Sequence, residues 1–438
     1  MTKGLAKQAL TTTALLALLT GCMGGGGSVT KSALSGTTVD AGLTGTAFDN
    51  TKSGSSDVIR ALQGKPSALA LGSAFGRVAD AVLATYSGAE QTQLRMAQLR
   101  ADARAQNWLP RIGPNLSLSG LSGLAAGISI EHGILDNGKR KAEREFALAD
   151  VDVTAVGMVA EVNQRVYDGV SAYIQAERAR SQAAVSRRAV DRLAEFQRIM
   201  GLRVEGGISD NSELRVITQR VSEMQATLST DAQNEANALS TLATITSGTD
   251  LSGISGLDAL SITGLETSEP LAVLRARAEG NRAMAEARAG RAVLLPGLNG
   301  AIGINAKGVD PGIKLGGAFG AGTRQELDAL AAAPELAERR TAAMAETAQR
   351  RAVTLQNQIA LLRDRQTQGA EVLRQTEGNL ELFTEQYKLG RRTLLELVGQ
   401  YDAFARMNRE HVSLAHEIAL TELELARDRG LLVDGARL

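Results

Sequence analysis

The sequence predicts a mainly α-helical, internally duplicated chain in which short β-hairpins interrupt very long helices. Three observations point there. Aromatic residues are 3% of the 438 residues and proline occurs only 7 times, while Ala, Leu, Arg, Glu and Gln dominate long stretches, so core fillers are scarce and helix formers abundant. Two segments of alternating polar and apolar residues each follow a helical run that ends in proline. These landmarks recur almost in step: Pro110 and Pro296 are 186 residues apart, Gly138 and Gly322 184, Gly207 and Gly390 183.

The N-terminal residues carry an address. Lys3 and Lys7 form a basic region, 9–19 is apolar but too short to span a bilayer, and Leu19-Thr20-Gly21-Cys22 reads as a lipobox. The pattern resembles the bacterial lipoprotein signal, with 1–21 as signal peptide and Cys22 as the lipidated (palmitate-bearing) first residue. Met23 is not the aspartate that favours inner-membrane retention, so outer-membrane delivery is expected. Cys22 is the only cysteine, which excludes a disulfide framework or cysteine metal site within one chain. Residues 22–72, rich in Gly, Ser and Thr, read as a flexible tether.

The first repeat spans 73–250. A helical run over 73–109 ends at Trp108-Leu109-Pro110, where proline disfavours continuation. A hairpin follows over 111–134, with strands at 115–119 and 126–130 around a turn at 120–123. From Gly138 to about Leu202 the spacing predicts one helix about 95 Å long, which no globular core can hold. The Gly-rich stretch 203–207 turns the chain at a tip, and Asp210 or Ser212 caps a return helix to about Thr246. Residues 251–269 are a linker.

The second repeat, 270–431, has the same order: a helix from Pro270 to Pro296, a hairpin over 297–321, a long helix to Leu389, a tip at Gly390 and a return helix, leaving 432–438 as a tail. Its strands are expected at 301–306 and 313–319, joined by 307–311. Pro334 predicts a kink or a late helix start.

A chain with four short strands cannot close a sheet, and open edges are forbidden in a bilayer, where the smallest barrels need about eight strands. Three chains supply twelve, so the strands imply a trimer whose long helices surround a lumen. The 3-4 spacing of Leu355, Ile359 and Leu362, or of Leu380, Phe383 and Tyr387, fits helix packing in such a tube. It fits an ordinary coiled-coil lipoprotein without a pore as well; only the hairpins favour the tube.

At this point the chain resembles the TolC family of outer-membrane efflux proteins over roughly 74–430. The resemblance is carried by Ala103-Arg104 through Leu109-Pro110, by Leu135-Asp136-Asn137-Gly138-Lys139-Arg140, and by Tyr387-Lys388-Leu389-Gly390 with 394–397. It implies a homotrimer with a 12-stranded outer-membrane β-barrel, four strands per chain, and a long α-helical barrel in the periplasm. It also implies a periplasmic adaptor (membrane fusion) protein and an inner-membrane RND or ABC transporter as partners, in drug efflux or type I protein secretion.

Residue by residue, the resemblance puts the periplasmic gate at Tyr387, Arg392 and Glu396. Asp402 is the nearest substitute for a second acidic position that is Gly399 here. Gly207, Gly390 and Leu394 fall at the adaptor-docking tips. Three symmetry-related carboxylates at Glu396 would repel one another and attract cations; a solvent-facing helix charge is the other reading. Tyr387 is a latch or interhelical packing, and Trp108 a membrane-interface residue or a core wedge. The strands barely reach the ~9 to 11 residues of a tilted membrane strand. Phe319 is the only aromatic in either hairpin, so a minimal barrel that leans on the lipid at Cys22 is expected.

Lys+Arg and Asp+Glu are 48 each, which makes no case for a nucleic-acid partner. Of the three histidines, His411 and His416 are five apart, off the i,i+4 spacing of helical metal ligands, and His132 stands beside a strand. No phosphate loop or nucleophile elbow occurs. The chain is read as not an enzyme, with no metal and no cofactor.

Overall fold

The computed structural model describes residues 56–118, 124–251, 253–260, 268–305, 308–316 and 320–437. Cys22 and its lipobox lie outside the described residues, as do the first hairpin turn and Phe319.

Residues 56–72, the end of the stretch read as a tether able to strap onto the folded body, do strap onto the helices. Ser56 Oγ accepts the Ile59 N–H at 3.1 Å and starts α1, Asp57–Gln63, whose Val58, Ile59 and Leu62 are buried in the main core. Lys65 follows, 5% exposed, its Nζ donating to Ser268 Oγ (2.6 Å), the Glu269 carbonyl (2.6 Å) and the Arg429 carbonyl (2.8 Å). One ammonium thus joins the strap, the inter-repeat linker and the C-terminal turn.

The helix expected over 73–109 is two helices, α2 (Ala74–Ala84) and α3 (Ala89–Ala105). Thr85 Oγ1 donates back to the Ala81 and Val82 carbonyls, Tyr86 buries its ring, and its hydroxyl reaches Glu90 at 2.9 Å. The buried tyrosine pulls the chain out of the helix, and Gly88 caps the restart.

Strands β1 (Arg111–Leu118) and β2 (Leu124–Leu135) run to 8 and 12 residues. Asn137 and Gly138, at φ 49° and 84°, then turn the chain from sheet into helix, a conformation that only Gly and Asn adopt readily. Helix α4, Lys139–Glu205, has 67 residues and so is about 100 Å long. Gly207, at φ 70°, makes the tip, and Asp210 Oδ1 accepts the Ser212 N–H at 3.2 Å to cap α5, Asn211–Ile245.

The linker is bound rather than loose. Ile254 and Leu260 enter the core, and the Tyr173 hydroxyl donates to the Gly256 carbonyl at 2.9 Å. Helix α6 (Leu271–Leu294) leads into β3 (Gly297–Asn305) and β4 (Gly308–Gly316). Residues 308–311, expected in the turn, are therefore strand, with Asn305 already paired to Gly308. Turn-type residues are accommodated because the ladder to β3, from Asn305–Gly308 to Ile302–Pro311, outweighs their propensity. Helix α7 (Thr323–Ala331) breaks at Ala332, and α8 (Ala333–Lys388) restarts with Pro334 in its first turn, where a missing N–H costs nothing. Helix α9, Leu394–Asp428, completes the second repeat.

The long helix α4 is the spine: α1, α2, α3, α5, α6 and α9 all pack on it, while α8 packs on α6 and α9. Two cores form. The larger gathers the strap, α2, α4, α6, α9 and the C-terminal turn; the smaller, near the tips, holds Leu193, Phe196, Met200, Ile217, Leu394 and Leu397.

Candidate functional site

The two hairpins join in one antiparallel sheet of order β1-β2-β3-β4, the β2–β3 pairing bridging the repeats. Its register sorts the residues. The rows Ile112–Ile130–Ile302–Pro311 and Pro114–Ile128–Ile304–Val309 share one face, continued by Ile313 opposite Gly300 and Leu315 opposite Leu298. The other face carries Arg111–Glu131–Ala301–Gly312 and Gly113–Ser129–Gly303. A bulge between Gly133 and Leu135 brings Leu135 opposite Leu298, at the foot of the apolar rows.

The apolar face is bare: Ile313 is 73% and Leu315 80% exposed, and Ile112, Ile128 and Val309 also stand open. A contiguous apolar surface of this kind needs an apolar environment or partner. The outer strands β1 and β4 leave free edges within the chain. The nine residues of β3 or β4 span about 30 Å, or about 23 Å of membrane normal at a tilt of about 40°. Among the described residues no helix is long and apolar enough to cross a membrane. Trp108, at the foot of the sheet, is 60% exposed, so it is no core wedge within its own chain; its carbonyl accepts from Arg140 Nη1 at 3.3 Å.

At the second tip the structure pairs Arg392 with Glu396, while Tyr387 packs against the tip core. Arg392 lies 4.7 Å over the Phe383 ring, donates to Gln386 Oε1 at 3.0 Å and pairs with Glu396 Oε1 at 3.1 Å. Glu396 Oε2 accepts the Thr393 N–H at 2.9 Å, while Thr393 Oγ1 accepts the Glu396 N–H, a reciprocal cap for α9. The Thr393 backbone bond, then Arg392, hold the Glu396 carboxyl below the usual carboxylate range. Tyr387 is half-buried against the tip core.

Asp402 stands apart. It is buried, with Oδ2 3.1 Å from Arg406 Nη2 and 3.9 Å from Arg220 Nη1 of α5. Leu394, expected at a docking tip, is only 2% exposed and fills the tip core, because the first turn of α9 folds inward onto α4 and α5. The apolar residues that the tips do expose are Leu202, Ile208 and Leu389, beside Gly207 and Gly390.

Sequence reasoning missed the polar tie between the repeats. Asp231 of α5 has no exposed surface; Arg409 of α9 donates to both its oxygens, with Nε 3.0 Å from Oδ2, and Ser186 of α4 donates at 2.8 Å. No local pattern could have paired residues 178 apart. His416 is buried, its Nδ1 2.9 Å from the Val412 carbonyl, and no group of three or more metal-ligating side chains occurs among the described residues.

Duplicated long helical hairpins under a four-stranded antiparallel sheet are the fold of a TolC-like outer-membrane channel subunit. The outer membrane protein VceC from Vibrio cholerae superposes with a TM-score of 0.70 at 16% identity, over 81% of this chain and 96% of that one. The outer-membrane channel OprN gives 0.70 at 13% identity, over 88% and 96%. The open state of the Neisseria gonorrhoeae MtrE outer membrane channel gives 0.67 at 15% identity, over 85% and 95%. No protein-family model matches the sequence, and no curated protein matches it.

Proposed function

We propose that this chain is one third of an outer-membrane exit duct. Three copies pair β4 of one with β1 of the next, closing twelve strands into a barrel whose apolar rows meet lipid, while the helices continue the lumen through the periplasm. The observation that carries this is the pair of free sheet edges flanking a bare apolar face. Cys22 bears the lipid that holds the N-terminus at the membrane, and Trp108 stands at the interface.

The duct performs no chemistry. Its tips are closed at rest, with Tyr387, Arg392 and Glu396 at the constriction, and open when a periplasmic adaptor and an inner-membrane RND or ABC pump engage them. Cargo is a drug or a type I secreted protein. The exposed Ile208 and Leu389 at the two tips supply apolar docking contacts.

The test is reconstitution of the full-length, lipidated protein in planar bilayers, with the mass of the detergent-extracted particle measured alongside. A trimer that conducts ions supports the duct. A monomer without conductance, even with Arg392 and Glu396 substituted, leaves a coiled-coil lipoprotein without a pore.

A further inference from the structure

Helix α8 carries two apolar stripes. One, Leu355, Ile359 and Leu362, is buried in the main core. The other, Val353, Leu361, Val372 and Leu382, is exposed, and at about 100° per residue it lies on the opposite side of the helix. An apolar stripe that its own chain leaves bare over about 45 Å calls for a partner.

The far edge of the molecule offers the complement. In the tip half the helices pack in the order α5-α4-α9-α8, so α5 and α8 are the outermost pair. From Val216 to Ile245 the charged residues of α5 are Arg220, Glu223, Asp231 and Glu235, and all of them pair inward, with Asp402, Arg406, Arg409 and Arg180 in turn. The side away from α4 is left uncharged: Ser222, Ala226, Ser229, Gln233, Ala236 and Ser240 are exposed there and follow the alternating 4-3 step of a helix seam. Depletion of charge marks the core of an interface. Counted from the tips, Leu361 stands level with Ala236 and Val372 with Ala226, large against small. Asp364 and Glu371, which share that face of α8, stand level with Gln233 and Ser229, whose amide and hydroxyl can donate to them.

We propose that the uncharged face of α5 seats the exposed apolar stripe of α8 from a second copy of this chain. The inference rests on the duct reading and names the contact that continues the barrel ring down to the tips. Nearer the sheet the helix order is α3-α4-α6-α8, matching β1-β2-β3-β4, so β1, α3 and α5 share one edge of the chain and β4 and α8 the other. Pairing β4 with β1 of the next copy therefore sets α8 beside α5 of that copy, and the head-to-tail contact repeats until the ring closes.

Cysteine crosslinking of the full-length protein in detergent tests it, since Cys22 is the only native cysteine and wild type supplies its background. With Ala236→Cys and Leu361→Cys in one chain, a short bismaleimide yields covalent dimers and trimers on a denaturing gel, and either substitution alone yields none. Ala236→Arg, which puts bulk and charge into the seat, dissociates the particle with its helicity unchanged. Leu239→Arg, exposed on the flank of α5 outside the seam, leaves the particle intact. Absence of the crosslink, or a particle indifferent to Ala236→Arg, overturns the seam. A thiol at position 236 that is shielded from maleimide without crosslinking gives the face to a different partner and overturns it too. Planar-bilayer conductance separates the two readings: a conducting trimer without the crosslink rejects the seam alone, and a crosslinked assembly that never conducts rejects the duct alone.

Discussion

Arg409 of α9 grips both carboxylate oxygens of Asp231 on α5, and Asp231 has no exposed surface. Helices α5 and α9 come from different repeats and barely touch, so this pair, with Ser186 of α4 as third member, ties the two coiled-coil halves above the tips.

Removing one partner leaves the other uncompensated. Arg409→Ala strands a buried carboxylate and is expected to cost about 3 to 5 kcal/mol, whereas the double variant Arg409→Met, Asp231→Leu costs much less. Denaturant unfolding monitored at the tip helices checks this. Equal losses for single and double variants would show that packing, not charge, is what the pair supplies.

Lys65 gives a pH signature. Burial lowers its ammonium to about 8 from an unreacted 10.5, with Glu269 opposing the shift. Between those values the unfolded chain holds a proton that the folded chain has released, so stability contributed by this site rises with pH from about 8 upward. Below about 8 the cost of the buried charge is fully present. The stability difference between wild type and Lys65→Met should therefore change by on the order of 1 kcal/mol or more from pH 7.5 to 9.5. A pH-independent difference would remove the assignment.

The reciprocal cap at the second tip is testable locally. Thr393→Ala is expected to cost about 1 kcal/mol and to speed amide exchange in the first turn of α9. Glu396→Gln keeps a cap acceptor in its amide oxygen but removes the charge and, if three copies face one axis, the block of conductance by multivalent cations. Unchanged block would discard the constriction role while leaving the cap intact.

The two faces of the sheet should respond oppositely to charge. Ile302→Lys, on the apolar face of an inner strand, is expected to cost about 2 to 4 kcal/mol of membrane stability, and Ala301→Lys on the polar face far less. Resistance of the reconstituted particle to urea extraction measures both. Equal effects would mean that the face of Ile302 does not meet lipid.

Much of this architecture is visible in the chain. The proline-ended helices, the Asp210 cap, the glycine tips and the Pro334 break are all local, written in residues within a turn of the feature they make. Other elements are hidden for equally physical reasons. Helix α1 has only Val58, Ile59 and Leu62 to mark it within a Gly- and Ser-rich stretch, and it holds because distant parts of the chain receive those side chains. Tyr86 breaks a run of helix formers because the core can take its ring. Gly308 to Pro311 look like a turn and form an edge strand, since the pairing partner β3 outweighs propensity.

Composition, periodicity and repetition suffice for the long helices, the duplication and the two hairpins, because each depends on neighbours in sequence. Packing over long separations assigns the rest. It buries Leu394 where a docking residue was expected, sets Arg111 opposite Glu131 beside an open cavity, and joins Asp231 to Arg409 across 178 residues. A side chain's partners follow from the faces that helices and strands turn toward one another, and those faces exist only once the chain has folded.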